Sequence, residues 1–266
     1  MANAPQPKVI FNLLDGMRGV AATCVMLYHF SGYLGPERFL PSAYLAVDLF
    51  FILSGFVIAH AYQHMLRQGR IADFTAMRLI RLWPLYALGT LLAAGYWSLR
   101  ALLQPSAHLQ LAELAAQLPW SLLFLPGSWL HDSNGLYPLV GPAWSLILEL
   151  IVNLLFGLSF RFWTTRRVAW AAAAFGAWNV LTAVHFGNLD AGMTPSTLWG
   201  GLSRVSFSFF AGVLIYRLYE SGARPVVPDT ARWALPALVI LMFAIDAEGP
   251  FRVAYDLVLA TLAFPC

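Results

Sequence analysis

Charge is scarce in this sequence: 11% of its 266 residues are Asp, Glu, Lys or Arg, against about a quarter in a soluble globular domain. Most side chains therefore have no need of water. Cysteine is scarcer still. Cys24 lies inside an apolar run and Cys266 is the last residue, which leaves no basis for a disulfide framework or a cysteine-built metal site, and no metal is expected. No cleaved signal peptide is expected from these residues, because 2–7 are polar and proline-rich and Arg18 interrupts the first apolar run. There is no internal repeat and no low-complexity segment.

What is there is apolar. Hydrophobic residues make up 59% of the chain, and the mean hydropathy is +0.66. They fall in long blocks such as 45–59, 85–94 and 233–245. A membrane-crossing helix needs about 20 mostly apolar residues. The pattern predicts an all-α, polytopic membrane helix bundle of about eight transmembrane helices, near 15–34, 42–62, 82–103, 142–163, 168–186, 198–217, 232–246 and 251–266. The whole of 1–266 reads as a single integral membrane domain. The net charge of +3 resides in basic residues between the blocks, so nucleic acid is not expected as a partner and membrane lipid is.

Arg67, Arg70, Arg78 and Arg81 lie between spans two and three, Arg161, Arg166 and Arg167 between four and five, and Arg217 and Arg224 after six. They share one side only if the N-terminus, with Lys8, is there too, and the positive-inside rule makes that side cytoplasmic. This excludes a span at 109–126, which also carries Glu113, Gln117 and Pro119. Residues 104–141 read instead as an outer-side region with an interfacial or re-entrant helix.

Ionisable groups inside spans are costly and call for a reason. Counting rise per residue along alternating spans puts His29, Asp48, Glu149 and Arg204 at one level in the outer half. Arg18, Arg78 and Arg81 form an inner layer, with Arg67, Arg70 and His60 nearby. Arg18 and His29 are separated by about 16 Å of rise. An imidazole beside carboxylates suits proton transfer, and guanidinium groups suit a phosphate-bearing ligand. Each group also has a structural reading: an interior histidine with its bonds satisfied, topology-setting arginines, carboxylates paired with Arg204. Trp97 and Trp129 read as interfacial anchors. Composition and depth alone leave an enzyme and a proton-coupled transporter or exporter equally open.

The same residues sit in recognisable strings. Leu14-Asp15-Gly16-Met17-Arg18-Gly19-Val20-Ala21-Ala22, followed by Leu27-Tyr28-His29, resembles the opening of acyltransferase family 3, the OafA-like membrane O-acyltransferases. Ala46-Val47-Asp48-Leu49-Phe50-Phe51-Ile52-Leu53-Ser54-Gly55-Phe56 is similar to its second-helix motif. Arg78-Leu79-Ile80-Arg81-Leu82-Trp83-Pro84 is similar to its arginine motif, and Trp144-Ser145-Leu146-Ile147-Leu148-Glu149 to its Trp-Ser-Leu-x-x-Glu motif. Arg204 with Phe210 and Gly212 resembles a later, weaker one.

The resemblance implies transfer of an acyl group, commonly acetyl, from a cytoplasmic acyl-CoA to a hydroxyl of a carbohydrate, a lipid-linked sugar or another cell-envelope acceptor, by a protein of the cytoplasmic (inner) membrane with no permanently bound cofactor. It implies catalytic roles for Arg18 and His29, and the shared level of the charges makes Asp48 or Glu149 the group expected to orient the imidazole. It places the acyl-CoA at Arg78 and Arg81. Ser54, Trp144, Ser145 and Arg204 become supporting or substrate-contacting residues. Members of that family usually have about ten spans, so the eight read here lead to the expectation of a C-terminally shortened bundle.

Overall fold

The computed structural model describes residues 12–35, 37–103, 111–127, 135–222 and 231–265. Lys8, Trp129, Asn134, Arg224 and Cys266, which the sequence reading used, lie outside these. Among the described residues the regular elements are all helical: α1 (Asn12–Leu34), α2 (Ala46–Arg67), α3 (Ile71–Leu103), α4 (Leu111–Leu122), α5 (Ala143–Leu158), α6 (Thr165–Phe186), α7 (Leu198–Glu220), α8 (Ala231–Ala244) and α9 (Gly249–Val258), the last running into a π-turn at Leu259–Ala263. The protein is an all-α membrane helix bundle.

Among the described residues four segments are long and apolar enough to cross a bilayer unaided: Ala43–Arg67, Ile71–Leu103, Thr165–Phe186 and Pro195–Glu220. Ala143–Leu158 and Trp233–Ala244 are apolar but shorter. Length and apolarity thus mark four of the eight expected spans as sufficient on their own. α1 has 23 residues but carries Asp15, Arg18 and His29, and α9 has only 10. Outward-facing side chains on α3, among them Ile80, Leu85, Leu92 and Leu103, are exposed and apolar, as a surface meeting hydrocarbon must be.

The centre is the pair α2 and α7. Gly55 lies against the backbone of Phe209, and Gly212 against the backbone of Ile52, so closely that a Cβ at either position would collide with the facing carbonyl oxygen. Small residues let membrane helices approach until their backbones nearly touch. α6 packs on the far side of α7 through polar contacts as well: the Thr182 and Ser203 hydroxyls lie 2.7 Å apart, and Ser203 Oγ donates to Asn179 Oδ1 at 3.2 Å. Threonine at the start of α6 and the glycine after it have mechanical causes. The Thr164 hydroxyl accepts from Arg167 N–H, and Gly187 takes a φ of +74° that ends the helix.

Within 109–126 the described helix is α4, whose 12 residues span about 18 Å, less than the hydrocarbon core of a bilayer. The end of α4 and the start of the turn after it accept bonds from side chains. Tyr86 Oη donates to Ser121 O at 2.7 Å, Trp83 Nε1 to Leu122 O at 2.8 Å and Tyr137 Oη to Phe124 O at 2.9 Å. Irregular backbone survives at a membrane surface when protein groups satisfy it in this way.

The α2–α7 contact makes a direct prediction. Gly212→Ala should destabilise the protein by about 1–3 kcal/mol through overpacking. Gly95→Ala, on α3 with open space around its Cβ position, should be neutral or slightly stabilising. Thermal unfolding of the two variants in detergent checks both.

Candidate active site

Two ion pairs hold the polar interior together. The first joins α2 to α7. Arg204 and Asp48 are fully buried. Arg204 Nη2 donates to Asp48 Oδ2 at 2.6 Å and Nε to both carboxylate oxygens at 3.2 and 3.3 Å. Its remaining donors go to the carbonyls of Tyr44 and Ala191 at 2.9 and 3.1 Å. The Trp144 ring lies 5.6 Å from the guanidinium and packs on Gly192 and Gly201. Trp144 is thus a cover on the pair. Ser145 donates its hydroxyl to Pro142 O at 2.9 Å, inside the first turn of α5.

The second joins α2, α3 and α5. Arg78 Nη2 donates to Glu149 Oε1 at 2.7 Å, and Ser54 Oγ donates to the same oxygen at 2.6 Å. The side chains of Arg78 and Glu149 are 4% and 15% exposed, so a small part of the carboxylate stays reachable. Arg18, from α1, is paired with Asp15 at 3.3 Å and lies within electrostatic reach of Arg81, Glu149 and Arg78. Arg78 is thus the arginine bonded to this carboxylate, with the charge of Arg18 within electrostatic reach of both.

His29 is on α1, eleven residues beyond Arg18. Eleven residues are three helical turns plus about 20°, so the two share a face with about 16 Å between them. His29 is half-buried, and the charged groups that act on it are Arg38 and Asp190. Arg38 is held by Nη1 donating to Tyr28 O at 3.1 Å. Asp190 follows α6 in a turn fixed by its own N–H donating to Asn188 Oδ1 at 2.8 Å, while Leu189 N–H donates to buried Asp256 at 2.7 Å. Asp256 also accepts from Tyr44 Oη at 2.6 Å. α1 itself packs on α2, the turn at 43–45 and α8.

These positions revise the expected layers. Asp48 and Arg204 do share a level, but as a sealed pair with each other, and Asp48 is not brought to His29. Glu149 was expected at that level too. It bonds Ser54, six residues and about 9 Å further along α2 than Asp48, and so belongs to the arginine layer. Depth counted from each span's own end assumed that all spans start in one plane; α5 starts deeper. Arg78 and Arg81 were expected together in the inner layer, ahead of a span beginning near 82. α3 begins at Ile71, and of the two Arg78 is buried while Arg81 is exposed. The carboxylate near His29 is Asp190, which the sequence reading missed. It stands in a loop, and its one signal is the turn-forming run Asn188-Leu189-Asp190-Ala191-Gly192.

Removing one partner of a sealed pair leaves a bare charge in apolar surroundings. Asp48→Asn should therefore cost about 3–5 kcal/mol, and Asp48→Leu with Arg204→Met should recover most of that loss. Unfolding of the single and double variants in the same detergent measures it.

Comparison with known proteins agrees with this architecture. The chain is 42% identical over 168 residues to protein 2 in the picA locus of Rhizobium radiobacter, covering 58% of this chain and 83% of that one. It is 26% identical over 273 residues to a protein named as a membrane-bound transacylase, BcsY, of Komagataeibacter xylinus. That match takes in 95% of this chain but 62% of the relative, so the chain spans less than two thirds of that protein. No solved structure matches. A family model described as an acyltransferase domain matches residues 11–264, and with four motif strings of that family on the helices that build the polar interior, the chain belongs to the membrane acyltransferases of acyltransferase family 3.

Proposed function

We propose that the protein moves an acyl group, acetyl being the simplest, from acyl-CoA on the cytoplasmic side of the inner membrane to a hydroxyl of a carbohydrate or lipid-linked cell-envelope acceptor on the other. The observation that carries this is the shared face of α1. It sets a guanidinium cluster at one end and an imidazole three turns away. The N-terminus is cytoplasmic in this reading, because Arg67, Arg70, Arg161, Arg166 and Arg167 then gather on the inner side.

The roles follow from reach. Arg81 and Arg18 attract the phosphates of the donor, since exposed or half-exposed guanidinium groups are free to form bidentate bonds to phosphate. Arg78 is held by Glu149 and defines the wall beside them. His29 takes the proton from the acceptor hydroxyl as its oxygen attacks the thioester carbonyl. The tetrahedral adduct collapses, the carbon–sulfur bond breaks, and the proton passes from the imidazolium to the departing CoA thiolate. Asp190 supports the imidazolium. The Asp48–Arg204 pair is structural here, because every route to it is closed. The name of the Komagataeibacter relative, a transacylase, is in keeping with group transfer rather than transport.

Membranes containing the protein should release free CoA from labelled acetyl-CoA and pass the label to an acceptor. His29→Ala should lower kcat by about 10²- to 10⁴-fold. Arg81→Ala should raise the KM for the donor roughly tenfold with little change in kcat. Full transfer by His29→Ala would sink the base assignment. Release of no CoA by wild-type membranes would sink the donor and return the balance to a transporter.

A further inference from the structure

Arg38 is exposed and Arg252 partly so, both at the His29 end of the bundle. In the proposed orientation basic residues gather on the inner side, so two open arginines at the opposite end need a task. Each side chain is set in place by one bond to the protein. Arg38 Nη1 donates to Tyr28 O at 3.1 Å, and its guanidinium lies 4.9 Å from the centre of the Tyr28 ring. Gly32, one turn further along α1, makes room for it: a Cβ there would collide with the Arg38 guanidinium. Arg252, on α9, donates from Nε to Tyr44 Oη at 3.4 Å and lies 5.2 Å from the centre of that ring. Tyr44 is itself held, its hydroxyl donating to buried Asp256 and its carbonyl accepting from Arg204.

Both arginines bear on the residue next to His29. Arg38, Arg252 and Asp190 all act electrostatically on Tyr28, and the Tyr28 ring meets the His29 ring edge-on with 5.3 Å between centroids. Arg38 and Asp190 act on His29 as well, and Arg252 does not, so Arg252 stands the further of the two from the imidazole. Among the described residues neither arginine is in an ion pair with Asp190 or another carboxylate, and their remaining guanidinium nitrogens have no hydrogen-bond partner. Asp256 offers Arg252 its charge but no free oxygen, because one accepts from Tyr44 Oη and the other from Leu189 N–H.

Guanidinium groups with open donors take oxyanions, carboxylate or phosphate, through charge-assisted N–H bonds. The donor's phosphates are drawn to Arg18 and Arg81 at the other end of α1, about 16 Å away, so an anion beside His29 belongs to the acceptor. We infer that Arg38 and Arg252 form an anion-binding subsite next to His29, and that the acceptor is a sugar carrying a carboxylate or a phosphate close to the hydroxyl that is acylated. The inference rests on His29 being the base for a carbohydrate acceptor, and it names that acceptor's chemical class. Arg38, the nearer, holds the charged group so that the neighbouring hydroxyl falls at the imidazole, and Arg252 grips it from the rim. Asp190 remains the partner of the imidazolium. A neutral sugar lacks this hold.

Equilibrium binding of methyl glucuronoside, glucose 1-phosphate and methyl glucoside to the full chain in nanodiscs, without acyl-CoA, tests this. The wild type should bind at least one of the charged sugars about tenfold tighter than methyl glucoside, or better, the worth of one charge-assisted bond. The tighter of the two identifies the oxyanion. Arg38→Gln and Arg252→Gln should each cut that preference by about threefold or more, the double variant should abolish it, and Arg38→Lys, which keeps the charge, should retain part of it. Equal binding of charged and neutral sugars by the wild type would overturn the inference. So would an unchanged preference in the double variant with a lowered melting temperature, since the arginines would then only brace the fold. No donor enters the measurement, so a chain that prefers the charged sugars yet releases no CoA from acetyl-CoA would lose the donor and keep this subsite.

Discussion

The near-contact of the α2 and α7 backbones is the constraint from which the rest of the interior follows. Two glycines, Gly55 and Gly212, remove the side chains that would hold the helices apart. Close approach then lets Arg204 reach across to Asp48, Tyr44 and Ala191 with each of its three nitrogens bonded. With one side of α2 committed to α7, its other sides are free for two different tasks. Leu49 and Leu53 pack towards α1, while Ser54 turns to α5. α2 is thus the element on which the imidazole-bearing helix and the arginine–carboxylate cluster are both registered.

How much of this the sequence carried depends on the kind of signal. Helix positions were legible because apolar periodicity and loop charge act locally. Excluding a span at 109–126 came from arginine placement, and the short α4 with its bonded turn agrees. The motif strings marked Arg18, His29, Asp48, Arg78, Glu149 and Arg204 as residues that meet something polar. Which of them meet each other was not legible. Pairing depends on the relative heights of helices, and the run at 135–142 lets α5 start lower than a uniform count assumes. Loop residues carry no periodicity at all, so Asp190 was invisible beside His29.

The α2, α6 and α7 side is held by backbone approach, hydroxyl bonds and a stack of rings in which Phe156 meets Phe209 and Phe210. The turn at 43–45 is tied to α7 by Arg204 donating to Tyr44 O at 2.9 Å. Ser42 ties the same turn to the end of α8, its hydroxyl donating to Ile245 O at 2.7 Å and its N–H to Phe243 O at 3.1 Å. α1, which carries His29, packs on that braced turn and on α2 and α8.

The sealed Asp48–Arg204 pair also bears on how the chain comes to be embedded. Its members are 156 residues apart, so during synthesis the acidic helix emerges long before the basic one. Asp48 stands in the first turn of α2, where a charge opposes insertion less than at the centre of a span, and the strong apolarity of Ala43–Arg67 outweighs it. Once inserted, that helix keeps an unmet carboxylate until α7 arrives. A chain halted before α7 therefore leaves that carboxylate without its guanidinium partner, and the two ends of the sequence become interdependent through one pair of charges.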